Sequence, residues 1–341
     1  MIKIEFCKKN NSKEVQRFIH LKWKKNHILS KKAKLFKWLY ENKKYYNFII
    51  AKKNEKIIGL LGFIKNSHFS KTSSCEDIIW LALWKVDEKK TPPGLGLLLL
   101  KKLRDKNPKL DIAVIGINNL HPPLYRRLNF KVNKMDHFYL INPYIKKFKI
   151  IKFQNKTNHK KIFRIEKNIN FKIIDLKFLK NKGLKYLSKN FTSYKNSNFF
   201  INKYIKHPFY KYKLFHLKLG KKNAIIVFRT IKVKSSKIIR VIDFEGDESI
   251  ILNLGNFFRN IVFKEKAEYL DFLQYGINKK YFFKAGFKLL DHSKDTIIPN
   301  YFEPLVEKNK SVYFAYNINK NHKLKIFKGD GDQDRPNLIN K

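Results

Sequence analysis

"TPPGLGLLLLKKL", residues 91–103, sets two prolines and the pair Gly94 and Gly96 directly ahead of a leucine- and lysine-rich helical pattern. A helix N-terminus leaves backbone N–H groups unpaired and carries roughly half a positive charge. Glycines at that point let a phosphate approach the backbone closely. The other reading is a proline-containing loop whose glycines serve packing alone. A lone Gly-x-Gly does not separate the two, so the flanking elements have to.

On the N-terminal side, "EDIIWLALWKVD" (76–87) is apolar on both faces, which predicts a central strand running straight into the turn. Before it come a strand, "MIKIEFC" (1–7), and a helix capped by Ser12, "SKEVQRFIHLKWKKN" (12–26). A second helix, "KAKLFKWLYEN" (32–42), precedes a hairpin, "YNFIIAKKNEKIIGLLGFIK" (46–65), turning at Lys53-Asn54-Glu55. On the C-terminal side a helix runs over about 95–106, followed by a buried strand, "LDIAVIGIN" (110–118). A short helix, "HPPLYRRLN" (121–129), and more strand, "FKVNKMDHFYLIN" (130–142), close the first half.

After a lysine-rich, weakly patterned stretch the theme repeats. "YKLFHLKLGKKNAIIVFRTIK" (212–232) reads as a hairpin about Gly220, and "KIIRVIDFEGDES" (237–249) as a long strand entering a turn. A helix, a strand, "AEYLDFLQYG" (267–276), and "KKYFFKAGFKLL" (279–290) follow. When "LYRRLNFKV" is laid on "YFFKAGFKLL", Asn129 falls on Gly286 and Phe130 on Phe287. Asn is the side chain that best tolerates the left-handed backbone Gly adopts, so an internal repeat is expected.

This element order resembles the GNAT acyltransferase family. The residues that carry the resemblance are "IIGLLGF" (57–63), "WLALWKVDEKKTPPGLGLLLLKKL" (80–103) and "NNLHPPLYRRLNFKV" (118–132). The family's acyl-CoA loop reads Arg/Gln-x-x-Gly-x-Gly/Ala. Here Gly94 and Gly96 match and Thr91 replaces the leading Arg or Gln. The resemblance implies two tandem domains of mixed α/β class, each a mixed central sheet flanked by helices. Residues 1–145 form an acyl-CoA-binding domain, 146–190 a crossover, 191–328 a degenerate second domain and 329–341 an acidic tail.

The same resemblance implies acetyl-CoA or another acyl-CoA as cofactor. Its pyrophosphate is expected on Thr91, Gly94, Leu95 and Gly96, and its pantetheine arm along the strand edge at Leu83, Trp84 and Lys85. Tyr125 stands where many members keep the tyrosine that protonates the departing thiolate; the plain alternative is a packing tyrosine. Phe282 is its counterpart in the second half and has no proton to give. The base is sought among Glu76, Asp77, Asp87, Asp243 and Glu245, with Asp243 and Glu245 facing a cleft; acids at such turns are otherwise helix caps. In the second half the turn carries Asp243, Glu245, Asp247 and Glu248, which would repel a pyrophosphate.

The end of the chain reads "KGDGDQDRPN" (328–337). Its Asp330, Asp332 and Asp334 have the spacing of a calcium loop, but Arg335 and Lys341 stand where that loop needs Gly and Glu. The motif, with "IIPNYFEPLVEKN" (297–309) and "YIKHPFYKY" (204–212), resembles segments of acyltransferase-like proteins associated with surface-polysaccharide biosynthesis. Its acids would receive an amino sugar, or Arg335 a nucleotide phosphate. The plain alternative is a solvated tail.

The net charge of +48 invites a nucleic-acid reading. Against it, only nine of the 75 basic residues are arginine, and Lys, Asn, Ile, Phe and Tyr all share AT-rich codons. No specific nucleic acid is therefore expected, although anionic ligands and anionic membrane surfaces would be attracted. The chain has 43 % hydrophobic residues, no long apolar run and no leader-like N-terminus, and it has just two cysteines. That composition points to a folded protein of a reducing cytoplasm with no metal site.

The function expected is N- or O-acyl transfer from acyl-CoA to an amino sugar or another small-molecule or nucleotide-sugar acceptor. A tRNA-dependent aminoacyl transferase of the peptidoglycan cross-bridge type, or a non-catalytic binding module of the same fold, are the alternatives.

Overall fold

The computed structural model describes residues 1–71, 77–153, 169–181, 195–292, 296–300, 303, 305–318 and 324–336. Cys75, Glu76, Lys341 and most of the 146–190 crossover lie outside the described residues.

The first part of the chain forms β1 (Ile2–Lys8), α1 (Ser12–Phe18), α2 (Ile28–Lys31), α3 (Ala33–Tyr40), β2 (Tyr45–Lys53) and β3 (Lys56–Lys65). It continues through α4 (Ser67–Ser70), β4 (Ile78–Val86), α5 (Leu95–Lys106), β5 (Asp111–Ile117), α6 (Pro122–Arg127), β6 (Lys131–Lys134) and β7 (Asp136–Ile141). Then come β8 (Lys152–Phe153), β9 (Asn170–Ile174), α7 (Leu176–Asn181), α8 (Ser197–Phe200), β10 (Lys213–Leu219), β11 (Lys222–Val233) and β12 (Ser236–Gly246). The chain ends through α9 (Gly255–Lys264), β13 (Tyr269–Tyr275), α10 (Lys279–Lys284), β14 (Lys288–Leu289), β15 (Thr296–Ile297), β16 (Tyr313–Asn317) and β17 (Ile326–Phe327).

These elements form two compact units. Unit 1 comprises Met1–Asn133, Tyr313–Asn321 and Gly331–Lys341. Unit 2 comprises Lys134–Val312 and His322–Asp330. The sheet of unit 1 has the order β1-β2-β3-β4-β5-β16-β6, and that of unit 2 has β9-β10-β11-β12-β13-β7-β14. Position for position the two orders correspond. Each has one parallel pair at its centre, β4–β5 and β12–β13, flanked by antiparallel neighbours. The repeat is thus present as topology.

The expected boundaries differ. The stretch 130–142 does not close one sheet: β6 belongs to the first sheet and β7 to the second. Only Met135 separates them, and one residue cannot reverse a chain into a hairpin. The sixth place in each sheet is therefore filled from a distant part of the sequence. The stretch 146–190, expected as a crossover, also contributes β9, the edge strand of unit 2. The described part of the acidic segment is not solvated: Lys328, Asp330, Asp332, Gln333 and Arg335 are all nearly inaccessible.

Local chemistry accounts for the elements. In α5 the leucines at 95, 99, 100 and 103 share one face and pack on Ile79 and Leu81 of β4 and Val114 of β5. On the other side of β2, Phe48 stacks on Phe36 and meets Tyr40, both from α3. In unit 2, Phe257, Phe258 and Val262 of α9 pack with Val241 and Phe272 of the central pair. The repeated corner has one geometry in both units. Asn129 and Gly286 take φ of 62° and 89°, and the N–H groups of Phe130 and Phe287 bond back to Tyr125 and Phe282 at 3.0 Å.

Candidate functional site

In unit 1, β4 and β5 pair only over Ile78–Leu81 and Asp111–Val114. Beyond that point β4 runs on to Val86 and β5 to Ile117 without pairing to each other. The two strands part and leave a gap that no described segment fills by backbone pairing.

The opening turn stands at the mouth of this gap. Gly94 caps α5 with φ of 82°, a left-handed conformation that side chains resist, and open space lies where its Cβ would be. Among the described residues the N–H groups of Gly94 and Gly96 have no acceptor. Two free donors at a helix N-terminus beside a strand gap fit a pyrophosphate-bearing ligand.

Trp84 joins this turn to α6. A Cβ at Gly96 would lie 3.3 Å from the indole Nε1, and the indole meets the Tyr125 ring edge-on at 6.1 Å. Tyr125 also packs on Phe130 and is 6 % exposed. Burial pushes its phenol well above the ordinary tyrosine range, so it keeps its proton.

No protein-family model matches the chain, and no curated protein sequence does. Solved structures match nearly its whole length. A GCN5-related N-acetyltransferase from Anabaena variabilis ATCC 29413 is 9 % identical with a TM-score of 0.56, over 93 % of this chain and 73 % of that one. A protein of unknown function from Enterococcus faecalis V583, described as a probable N-acyltransferase, is 8 % identical with a TM-score of 0.57, over the same 93 % and 73 %. The chain has the fold of the GCN5-related N-acetyltransferases.

Within this GNAT fold, the expected site residues separate into three groups. Gly94, Gly96, Trp84 and Tyr125 come together at the gap. Leu83 and Leu95 are buried side chains, so they offer backbone alone, and the Leu95 N–H already reaches the Pro92 carbonyl at 3.4 Å. Lys85 turns outward to Glu88 at 2.6 Å, and Thr91 donates its hydroxyl to the Asp87 carbonyl at 2.9 Å. Asp77 accepts from the N–H of Ser67 at 3.0 Å and so serves the short helix α4.

Asp243 and Glu245 belong to unit 2 and are not exposed bases. Asp243 is fully buried and accepts from Lys195 Nζ at 2.7 Å, Tyr204 Oη at 2.6 Å and the Phe244 N–H at 2.9 Å. Glu245 lies 3.8 Å from the same ammonium and Asp330 3.5 Å. The turn after β12 therefore repels a phosphate less than its composition implies, since two of its acids are paired inside. Nor does α9 follow the strand at once, because a tight turn over Glu248–Asn253 intervenes.

The central strands of unit 2 part as those of unit 1 do, with β12 and β13 pairing over Ile239–Val241 and Leu270–Phe272. Here the gap is filled. β17 pairs antiparallel with Gln274 and Tyr275 of β13, and the Gly329 N–H donates to the Ile242 carbonyl of β12 at 2.6 Å. Asp330 ends the inserted segment on Lys195. Glycine is needed at 329, because a Cβ would meet the Tyr204 hydroxyl and lie 2.9 Å from the Ile242 oxygen. Gly329→Ala is expected to lower stability by about 1–3 kcal/mol through overpacking. Thermal unfolding checks this, and an unchanged Tm would remove the segment from the gap.

The acidic motif thus divides between the units. In unit 1, Arg335 Nε donates to Asp332 Oδ2 at 2.9 Å, and Gln333 packs its amide on Gly116 of β5. Burial, with Arg335 nearby, pushes His27 down to about 3, so that imidazole is neutral. Lys195, Tyr204 and the inserted segment escape sequence reading, because their partners lie 48, 39 and more residues away. The one available signal was Ile326-Phe327 followed by glycines, an apolar pair that a solvated tail does not need. Among the described residues no three His, Cys, Asp or Glu converge on a metal position, and no helix is long and apolar enough to cross a membrane.

Proposed function

We propose that the chain is an acyl-CoA-dependent acyltransferase whose cofactor binds unit 1, and that its acceptor is the amine or hydroxyl of an amino sugar or related surface-glycan precursor. The observation that carries this reading is the contrast between the two gaps: among the described residues no backbone pairs into the one beside the glycine turn, and its counterpart is plugged by a paired segment. The Anabaena and Enterococcus likenesses support the fold on which the reading rests.

Acyl-CoA supplies an activated acyl thioester when bound. The N–H groups of Gly94 and Gly96 are the donors for its phosphates, and the unpaired edge of β4 at Leu83–Lys85 offers backbone groups to an extended arm. Tyr125, held protonated by burial, is the acid for the leaving sulfur. The apolar wall of Trp84, Tyr125 and Phe130 excludes water from that proton. In unit 2, Phe282 stacks on Phe138 at 4.2 Å and has no hydroxyl, so no equivalent acid exists there.

The test is coenzyme A binding by calorimetry. Gly96→Val drives a branched side chain into Trp84 and is expected to weaken binding about tenfold or more, as a displaced phosphate contact does. A native Tm for the variant keeps the result interpretable. Undiminished affinity would move the cofactor off this turn.

A further inference from the structure

Unit 1 also carries a groove of about 1040 Å³ on the segment just before the glycine turn. It is lined by Arg17, Lys22, Lys53, Lys56, Lys89 and Lys90, and by just two acids, Glu14 and Asp87. Both acids are already engaged. Glu14 accepts the Ile57 N–H at 2.7 Å, and Asp87 pairs with Lys22 at 3.0 Å. Among the described residues the other five cations make no ion pair. The floor is apolar, with Phe18, Ile57 and Ile58 buried in the wall and Leu21 exposed at the rim.

Five unneutralised cations around a concavity focus a positive field, and the volume matches a cofactor-sized ligand. Lysine excess alone does not account for this. Arg17 is one of only nine arginines in the chain, and lysines elsewhere find carboxylates even though acids are scarce. Thr91 and Pro92, at the start of the glycine turn, edge the groove, whereas Trp84, Gly94, Gly96 and Tyr125 do not line it.

We propose that this groove binds an organic diphosphate, the nucleoside-diphosphate end of an activated acceptor, separately from the site at the glycine turn. The diphosphate lies among Arg17, Lys53, Lys56, Lys89 and Lys90, and the ring system lies on Phe18 and Leu21. Arginine holds paired phosphate oxygens in a fork, and the lysines act as point charges. The role as acceptor rests on the acyltransferase reading; the binding does not. Coenzyme A carries the same diphosphate chemistry, so the test must separate the two sources.

The experiment is calorimetry at physiological salt with uridine diphosphate and with coenzyme A as probes. The proteins are wild type, Arg17→Glu/Lys56→Glu, and a control, Lys101→Glu/Lys102→Glu, on the exposed face of α5. Uridine diphosphate should bind one site, with or without saturating coenzyme A. The groove variant should lose about tenfold or more of that affinity while retaining coenzyme A binding, and the control should lose neither. Displacement of uridine diphosphate by coenzyme A would overturn the proposal, since the groove would then be the cofactor's own phosphate site. Absence of uridine diphosphate binding, or equal loss in the control, would also overturn it. Uridine diphosphate binding without coenzyme A binding would sustain the groove and remove the acyltransferase reading. The reverse pattern would do the opposite.

Discussion

Tyr125→Phe lowers turnover by ~10²–10⁴-fold, the usual contribution of a positioned general acid, and leaves coenzyme A affinity essentially unchanged. The substitution removes one oxygen and keeps the ring that packs on Trp84 and Phe130. Stability should therefore hold, and the loss should appear in kcat rather than in binding. Burial holds the phenol protonated across the physiological range, so the wild-type rate should show no alkaline limb from this group near neutrality. The measurement is release of free thiol from acetyl-CoA, together with calorimetric affinity. Full activity in Tyr125→Phe would make this residue a packing tyrosine and leave the leaving group to solvent.

Lys195→Met destabilises unit 2 by about 3–5 kcal/mol, the cost of leaving buried charge without its partner. One ammonium serves Asp243, Glu245 and Asp330, and all four groups are buried. Because Asp330 ends the segment that fills the β12–β13 gap, the loss should include release of that segment. The effect has a defined pH dependence. Burial raises Asp330 above its ordinary range, and Lys195 opposes that rise. Without the lysine the folded-state value climbs further above the unfolded one. A group so raised contributes stability below its unfolded pKa and loses it as pH rises. The gap between variant and wild type should thus narrow toward about pH 4 and be widest at neutrality. Urea unfolding at several pH values checks this. A pH-independent gap would mean that Lys195 acts by packing on Phe199 and Phe327 rather than by charge.

Much of unit 1 was legible because its signals are local. The leucine spacing of α5, the two-sided apolarity of β4 and the paired turns at Asn54 and Asn129 need only nearest neighbours to be read. The match between Asn129 and Gly286 survived as the same backbone geometry, since a left-handed residue at a helix end is a local requirement. The candidate site was legible where it is made of backbone, at Gly94 and Gly96. It was misread where it depends on partners. Asp243 and Glu245 look like free acids at a strand end, and nothing nearby in sequence announces Lys195. The second turn was read as repelling phosphate through its charge. In the fold, a segment occupying the strand gap excludes a ligand there.

Periodicity and turn residues by themselves determined the element order, the repeated corner and the glycine turn, because each element rests on interactions within about a dozen residues; the mixed α/β class followed from the family resemblance those elements carry. Tertiary structure alone decided which strand completes which sheet. β16 and β7 take the sixth place in sheets whose other strands lie far away in sequence, and the single residue between β6 and β7 forbids the hairpin that contiguity suggests. It also decided the fate of the acidic motif. A run of aspartates reads as solvated until Lys195 and Arg335 are brought against it, and only their positive charges offset the desolvation of the buried carboxylates.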